Sequence, residues 1–196
     1  MGNLILETQI SIDGFIADKD GGTNWMIWNW GPDWTWDEDL KSYHTKLNRS
    51  ADAIIISSQM AQEGFNAHWQ QAASNSGDER YDFANHILNT QKYVATRRLT
   101  SNNEIPGGWS NTSIIEGNLF DGITALKKSI DGNLIVYGGA TLVSGLIYAD
   151  LIDEYHFITN PVALGSGLPV FTKQKSLQLV SVIPFECGVV VKTYKK

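Results

Sequence analysis

The sequence predicts an α/β domain built on a mainly parallel central sheet with antiparallel C-terminal strands and flanking helices. Three observations carry that prediction. From Asn3 to Asp150 strand-like runs alternate with segments of helical spacing, and from Glu154 onward only strand-like runs remain; this order suits a parallel sheet with an antiparallel end. The stretch from Asn133 to Asp150 holds an apolar run (Leu134 to Tyr137), a Gly138-Gly139 turn, and Leu142, Val143, Leu146 and Ile147 at helical spacing, which is half of a βαβ unit. The composition, 196 residues with 42% hydrophobic and 18% charged, suits one packed domain.

Several function classes drop out at this stage. Net charge is -6 and the basic residues form no stripe, so nucleic acid is not an expected partner. The single cysteine, Cys187, excludes an internal disulfide or a multi-cysteine metal site and reads as a small apolar residue. His44, His68, His86 and His156 lack metal-ligand spacing. No G-x-S-x-G elbow supports nucleophilic catalysis. No leader and no run of membrane-spanning length is present, so the expected compartment is the cytoplasm, with no membrane partner.

Taken in order, Asn3 to Ile12 reads as a first strand, Asp13-Gly14 as a turn or bulge, and Phe15-Ile16-Ala17 as resumed extended chain. After a polar bend, Trp25, Trp28, Trp30, Trp34 and Trp36 follow one another around Gly31-Pro32; five of the seven tryptophans sit in this loop. Indoles are costly to leave in water. The loop either packs on its own domain or a second subunit, or forms a lid over a flat aromatic ligand. Thr35 and Glu38 have the form of a capping box opening a helix that carries Leu40, Tyr43 and Leu47 and ends near Ser50. Ala53 to Ile56 is apolar throughout, a strand buried on both faces, with Ser57-Ser58 at its end.

Ala61 to Gly77, with an isolated Trp69, reads as a helix edge plus a surface loop. Asp78 is the expected cap of a helix bearing Phe83, Ala84, Ile87 and Leu88. Lys92 to Thr96 is a third strand, followed by Arg97-Arg98; Ile105 to Gly108 is a turn; Thr112 to Ile115 is a fourth strand. Asn118 caps a helix with Leu119, Ile123, Leu126 and Ile130 on one stripe, stopped by Gly132. After the Gly-Gly unit come a strand from Glu154 to Pro161, a loop marked by Gly165, Gly167 and Pro169, and two strands, Leu177 to Ile183 and Val189 to Tyr194, turning at Cys187-Gly188.

In such sheets ligands bind beyond the C-terminal ends of the parallel strands. Ser57-Ser58, Thr96-Arg97-Arg98, Glu116-Gly117 and Gly138-Gly139 all follow strands and so converge on one rim. At Gly138-Gly139 the new helix presents unpaired N–H groups at the positive end of its dipole, where a phosphate can bind against glycine backbone. The same dipeptide also serves as a plain tight turn.

At four places the chain resembles a known family. Gln9-Ile10-Ser11-Ile12-Asp13-Gly14-Phe15-Ile16-Ala17 is similar to an S-L-D-G-x-I-A start, and Lys92-Tyr93-Val94-Ala95-Thr96-Arg97 to a K-x-V-x-S-R strand. Val136-Tyr137-Gly138-Gly139-Ala140, with Leu151-Ile152-Asp153-Glu154 downstream, is the third piece, and Pro161 to Phe171 matches P-x-x-L-G-x-G-x-P-x-F. Together they resemble the dihydrofolate reductase-like fold, and more narrowly single-domain relatives of the C-terminal reductase domain of bacterial riboflavin biosynthesis. The resemblance covers nearly the whole chain as a single domain.

It implies an oxidoreductase with NADPH as hydride donor, a pterin-like or ribosylamino-pyrimidine small-molecule substrate, and a homodimer. Carried over by position, Gly138, Gly139, Ala140 and Thr141 would hold the diphosphate, Thr96 and Arg97 would stand near the adenosine 2′-phosphate, and Ile16 and Ala17 would lie along the nicotinamide. Ser57-Ser58 stands where the family usually has Gly-Arg, which makes NADH the alternative donor. For proton delivery the resemblance points to a carboxylate at the start of the first helix: Asp37, Glu38 or Asp39, of which Asp39 is closest to the family position, with Trp25 and Trp28 lining the substrate pocket. Alternatively, all three carboxylates only stabilise the helix N-terminus. A non-catalytic binding protein on the same scaffold, its pocket filled by indoles, is the reading from another class.

Overall fold

The computed structural model describes residues 1–31, 33–99, 101, 104–105 and 108–196. Pro32 and the Pro106-Gly107 centre of the expected turn lie outside them. Ten strands and six helices are present among the described residues: β1 Asn3–Ile10, β2 Phe15–Ala17, α1 Glu38–Arg49, β3 Ala51–Ser57, α2 Ser58–Gln62, α3 Phe65–Ala73, α4 Tyr81–Asn89, β4 Gln91–Ala95, β5 Thr112–Ile115, α5 Leu119–Ser129, β6 Asn133–Gly138, α6 Ala140–Tyr148, β7 Glu154–Thr159, β8 Leu168–Pro169, β9 Gln178–Pro184 and β10 Val190–Lys195.

Eight of the strands form one sheet in the order β5-β4-β3-β6-β1-β7-β10-β9. β1 runs parallel to β6 and β7, β3 to β6 and β4, and β4 to β5, while β10 is antiparallel to both β7 and β9. β2 and β8 pair separately. The expected parallel sheet with an antiparallel end is therefore present. Ala53 to Ile56 of β3 are fully buried, which an uninterrupted apolar run at the middle of a two-sided sheet requires. Their side chains alternate between two cores. Ile54 and Ile56 join Ile5, Ile135 and Tyr137 under α1, α3, α4 and the tryptophan loop. Ala53 and Ile55 join Leu4, Leu6, Leu134 and Val136 under α5 and α6.

Several boundaries differ from the sequence reading. α1 is capped by Asp37, whose Oδ1 accepts the Leu40 N–H at 2.9 Å. Thr35 instead donates its hydroxyl to the Ile27 carbonyl, and Glu38 pairs with Lys41. Asp is the better cap, and burying Trp36 keeps the chain outside the helix until Asp37. Ala61 to Gly77 is not a loop. Ser57 caps α2, Gly64 turns the chain with φ 101°, and α3 buries Phe65, Trp69 and Ala72 along one stripe. Asp78 does not cap α4 directly. It accepts from the backbone N–H of Arg80 and from its guanidinium, while Arg80 itself occupies the cap position. The first strand stops at Ile10, because Ser11 and Asp13 close the following turn on each other. Asn118 caps α5 as expected.

Candidate active site

At the rim of the sheet, β6 ends at Gly138 and α6 begins at Ala140 without a side-chain cap. The N–H groups of its first turn therefore stand at the positive end of the helix with no side-chain acceptor. Gly138 has φ 148°, and a Cβ built there meets nothing within 4 Å; one on Gly139 meets only Ser57 Oγ, at 3.8 Å. Both glycines thus face open space, which is the room a diphosphate needs against backbone. Thr141 is exposed beside them. Next along the rim, Thr96 Oγ accepts the N–H groups of Arg98 (3.0 Å) and Leu99 (2.9 Å), fixing the turn after β4. Arg97 is left exposed at a cavity of about 310 Å³ between the ends of β4 and β5, across which Glu116 also faces.

On the opposite side of the rim, β2 and β8 fold over the end of β1. Ile16 and Ala17 are buried there, and Gly167 approaches so closely that a Cβ would lie 2.3 Å from the Ala17 carbonyl. Asp13 pins this flap. Its carboxylate accepts from Ser11 Oγ and from the N–H groups of Gly165 and Leu164. Those bonds, Ser11 first, hold its pKa down at about 2.

The α1 face of the sheet carries a buried polar cluster. Glu7 on β1 is 3% exposed, and His44 and Asn48 on α1 are each 1% exposed. His44 Nδ1 lies 2.6 Å from Glu7 Oε1, Asn48 Nδ2 donates to Glu7 Oε2 at 2.9 Å, and the Tyr137 hydroxyl donates to Asn48 Oδ1. A carboxylate only accepts, so Nδ1 of His44 carries the proton. Burial first, and the charge of Glu7 second, push the Tyr137 phenol well above its ordinary value. The tryptophan loop covers the cluster. Trp28, Trp34 and Trp36 are buried, and the rings of Trp36 and Phe83 pack on His44 at 5.3 and 4.8 Å. Gln9 Nε2 donates to the Trp28 carbonyl, and Asn160 Oδ1 accepts from Ile27 N–H, so strand side chains strap the loop down. Of the loop's two expected settings, packing on its own domain is the one observed.

A model of the RibD C-terminal domain matches residues 3–191. The chain belongs to the RibD C-terminal domain family. It is 29% identical to the uncharacterized protein YyaP of Bacillus subtilis (strain 168) over 195 residues, covering 97% of this chain and 93% of that one. Its fold is similar to that of a putative riboflavin biosynthesis protein from Shewanella sp. PV-4 (TM-score 0.65, 21% identity, 100% of this chain and 98% of that one). It is also similar to dihydrofolate reductase from Enterococcus faecalis complexed with NADP(H) (TM-score 0.55, 16% identity, 99% and 96%). The dihydrofolate reductase-like α/β fold is thereby established, and the family is of the reductase type.

In this member the structure brings Ser57, Gly138, Gly139, Ala140 and Thr141 together at one corner of the rim, with Ser58 opening α2 beside them and Thr96-Arg97 one strand further out. Asp39 is not among them. It is exposed in the first turn of α1, where its backbone N–H faces the Asp37 carboxylate. Trp25 is half-buried and donates its indole N–H to the Gly22 carbonyl, whereas Trp28 lies directly over the polar cluster. Glu116 lies on the rim as expected, whereas Glu7, His44 and Asn48 were not singled out from sequence as site residues. A signal for two of them was there: Glu7 interrupts an apolar strand on the α1 face, and His44 follows Leu40 at i+4 on the buried stripe. Among the described residues no helix is long and apolar enough to cross a membrane.

Proposed function

We propose that this chain is a reductase that uses NADPH, with NADH as the alternative, to reduce a pterin-like or ribosylamino-pyrimidine small molecule, and that it acts as a homodimer. The observation that carries the reading is the uncapped start of α6, where Gly138 and Gly139 leave open space against the N–H groups of Ala140 and Thr141. The diphosphate binds there, beside Ser57 and Ser58. The adenosine end extends to Thr96 and Arg97, whose guanidinium suits a phosphate. The nicotinamide end lies toward Ile16 and Ala17, and the substrate ring on the α1 face beside Trp28. When bound, the reduced nicotinamide supplies a hydride; the chain's own task is to orient the two rings, exclude water and supply a proton.

Titration with NADPH, and separately NADH, followed by tryptophan emission tests this directly, because the indole loop lies on the same sheet. Saturable quenching at micromolar nucleotide is expected. Gly139→Asp, which places a carboxylate at the phosphate position, is expected to abolish it. Absence of quenching by either nucleotide overturns the cofactor assignment.

A second reading has one observation in its favour. Trp28, Trp34 and Trp36 fill the space above Glu7 and His44, as they would in a binding protein whose catalytic pocket has closed. Saturable nucleotide binding without nicotinamide oxidation across a panel of dihydropterins and amino-pyrimidines would select it.

A further inference from the structure

We infer that His44, held by Glu7, is the group that donates the proton in this reaction, and that the tryptophan loop moves aside to admit the substrate ring to it. The inference rests on the reductase reading above. His44 is 1% exposed, and with Nδ1 committed to Glu7 its Nε2 has no hydrogen-bond partner among the described residues. A buried imidazole nitrogen left open costs free energy, and it calls for a partner that arrives only part of the time. Three indole N–H groups in the same aromatic cluster, those of Trp34, Trp36 and Trp69, are likewise buried without acceptors. A flat heteroaromatic ring with carbonyl and ring-nitrogen acceptors would satisfy such donors while stacking on the indoles.

Admitting the ring requires the loop to release the side chains that strap it down. It belongs to no strand of the sheet, and side chains hold it: Gln9 to the Trp28 carbonyl, Asn160 to Ile27 N–H, Arg80 to the Gly31 carbonyl and Glu79 to Trp34 N–H.

The chemistry balances with these groups. Two electrons and one hydrogen reach the carbon of a C=N bond as hydride, and its C–N π pair passes to nitrogen. That nitrogen takes a proton from Nε2 of the His44 imidazolium. The imidazole is left neutral with Nδ1–H still donated to Glu7, the donor nicotinamide is left oxidised, and His44 regains a proton from water. Glu7 is a positioning residue: it accepts from Nδ1–H and so fixes the tautomer and the orientation of the ring. The titratable groups around His44 are Glu7 on β1, Tyr137 on β6, Tyr43 on α1 with His156 of β7 behind it, and His68 of α3 behind Trp69, with Glu79 and Arg80 at the start of α4.

The test is a pterin titration of histidine-¹⁵N-labelled wild-type protein. The His44 resonances are assigned through contacts to the Trp28 and Trp36 rings, so no variant has to fold. Pterin is expected to shift the Nε2 signal, and to bind at least 10-fold more weakly to His44→Gln, without the one-proton pH dependence of the wild type. In single turnovers with NADPH and 7,8-dihydropterin, His44→Gln is expected to be at least 100-fold slower with its pH dependence gone, while NADPH quenching stays within twofold. Glu7→Gln is expected to weaken the pterin-induced Nε2 shift and to slow turnover, while NADPH quenching stays within twofold. Pterin leaving the His44 signal unmoved, with turnover intact, overturns this inference and leaves the reductase reading standing. A His44 shift without nicotinamide binding or turnover overturns the reductase reading and, with it, the proton-donor role, and leaves only ring binding at His44. Silence in both sinks both.

Discussion

The Asp37 carboxylate accepts the Leu40 N–H at the start of α1 with Oδ1 and the Cys187 N–H of the β9–β10 turn with Oδ2, both at 2.9 Å. Burial alone would raise its pKa; the N–H groups of Cys187 and Leu40 outweigh that and hold it below 3.8. Because the folded value lies below the unfolded one, the stabilisation is fully present above the unfolded pKa and is lost as pH falls through the folded value. Asp37→Ala is expected to destabilise by ~1–2 kcal/mol in urea unfolding at neutral pH, the usual cost of a lost cap. The loss relative to wild type should shrink as pH falls through the ordinary carboxylate range and below it. A difference independent of pH would mean that the charge on Asp37 contributes nothing. Lys92 shows the same local logic where no pattern announces it. Fully buried, it donates to the carbonyls of Ile87, Leu88 and Thr90 and closes the end of α4. Lys92→Met removes the donor shared by the Ile87, Leu88 and Thr90 carbonyls, of which Leu88 keeps the Asn111 side-chain amide, and is expected to cost about 2–4 kcal/mol, read in the same assay.

At the scale of elements, what was legible in the sequence was whatever is decided within about ten residues. β3 and β6 are continuous apolar runs, α5 has its Asn118 cap and a clean stripe, and the Gly138-Gly139 turn sits where strand gives way to helix. α3 escaped because its buried stripe is Phe65, Trp69 and Ala72, and one alanine between polar neighbours does not read as apolar spacing. The Glu7–His44 contact escaped because it joins β1 to α1 across 37 positions and exists only once the sheet has formed. The cavity at the ends of β4 and β5 is likewise a product of pairing, and it gives a prediction of its own. With the adenosine end placed there as proposed, Arg97 would attract a 2′-phosphate, while Glu116 would repel it and could accept from a free ribose hydroxyl instead. Both are exposed, so each charge is worth ~0.5–1 kcal/mol, or roughly 2- to 5-fold in affinity. Glu116→Gln is therefore expected to tighten NADPH relative to NADH by that factor, and Arg97→Gln to loosen it, in paired fluorescence titrations. Equal effects on both nucleotides would place the 2′ position elsewhere.

For the whole molecule, the end of the sheet sets the terms. β9 is an edge strand, and its sequence Gln178–Pro184 carries no charged residue. Leu179, Val180 and Val182 are 54%, 52% and 51% exposed. Uncharged, β-branched edges invite pairing, and proteins that remain monomeric usually blunt them with charged residues, proline, bulges or a covering helix; here the edge has no charge, with Pro184 at its end and a register shift opposite Thr193–Tyr194. An antiparallel partner strand is self-complementary about a two-fold axis, so a second copy of the same chain fits this edge without any new sequence. The net charge of -6 does not oppose such pairing locally, because the strand itself is neutral. The proposed homodimer is therefore expected to form through β9, extending the sheet across the axis and leaving the rims at the ends of the parallel strands free. Val180→Lys together with Val182→Lys places like charges on facing strands and should convert the protein to monomer in light scattering at micromolar concentration. Tm would then lose its dependence on protein concentration, while NADPH quenching is retained. A wild-type protein that is monomeric at those concentrations, or a double lysine variant that stays dimeric, would move the interface away from this edge.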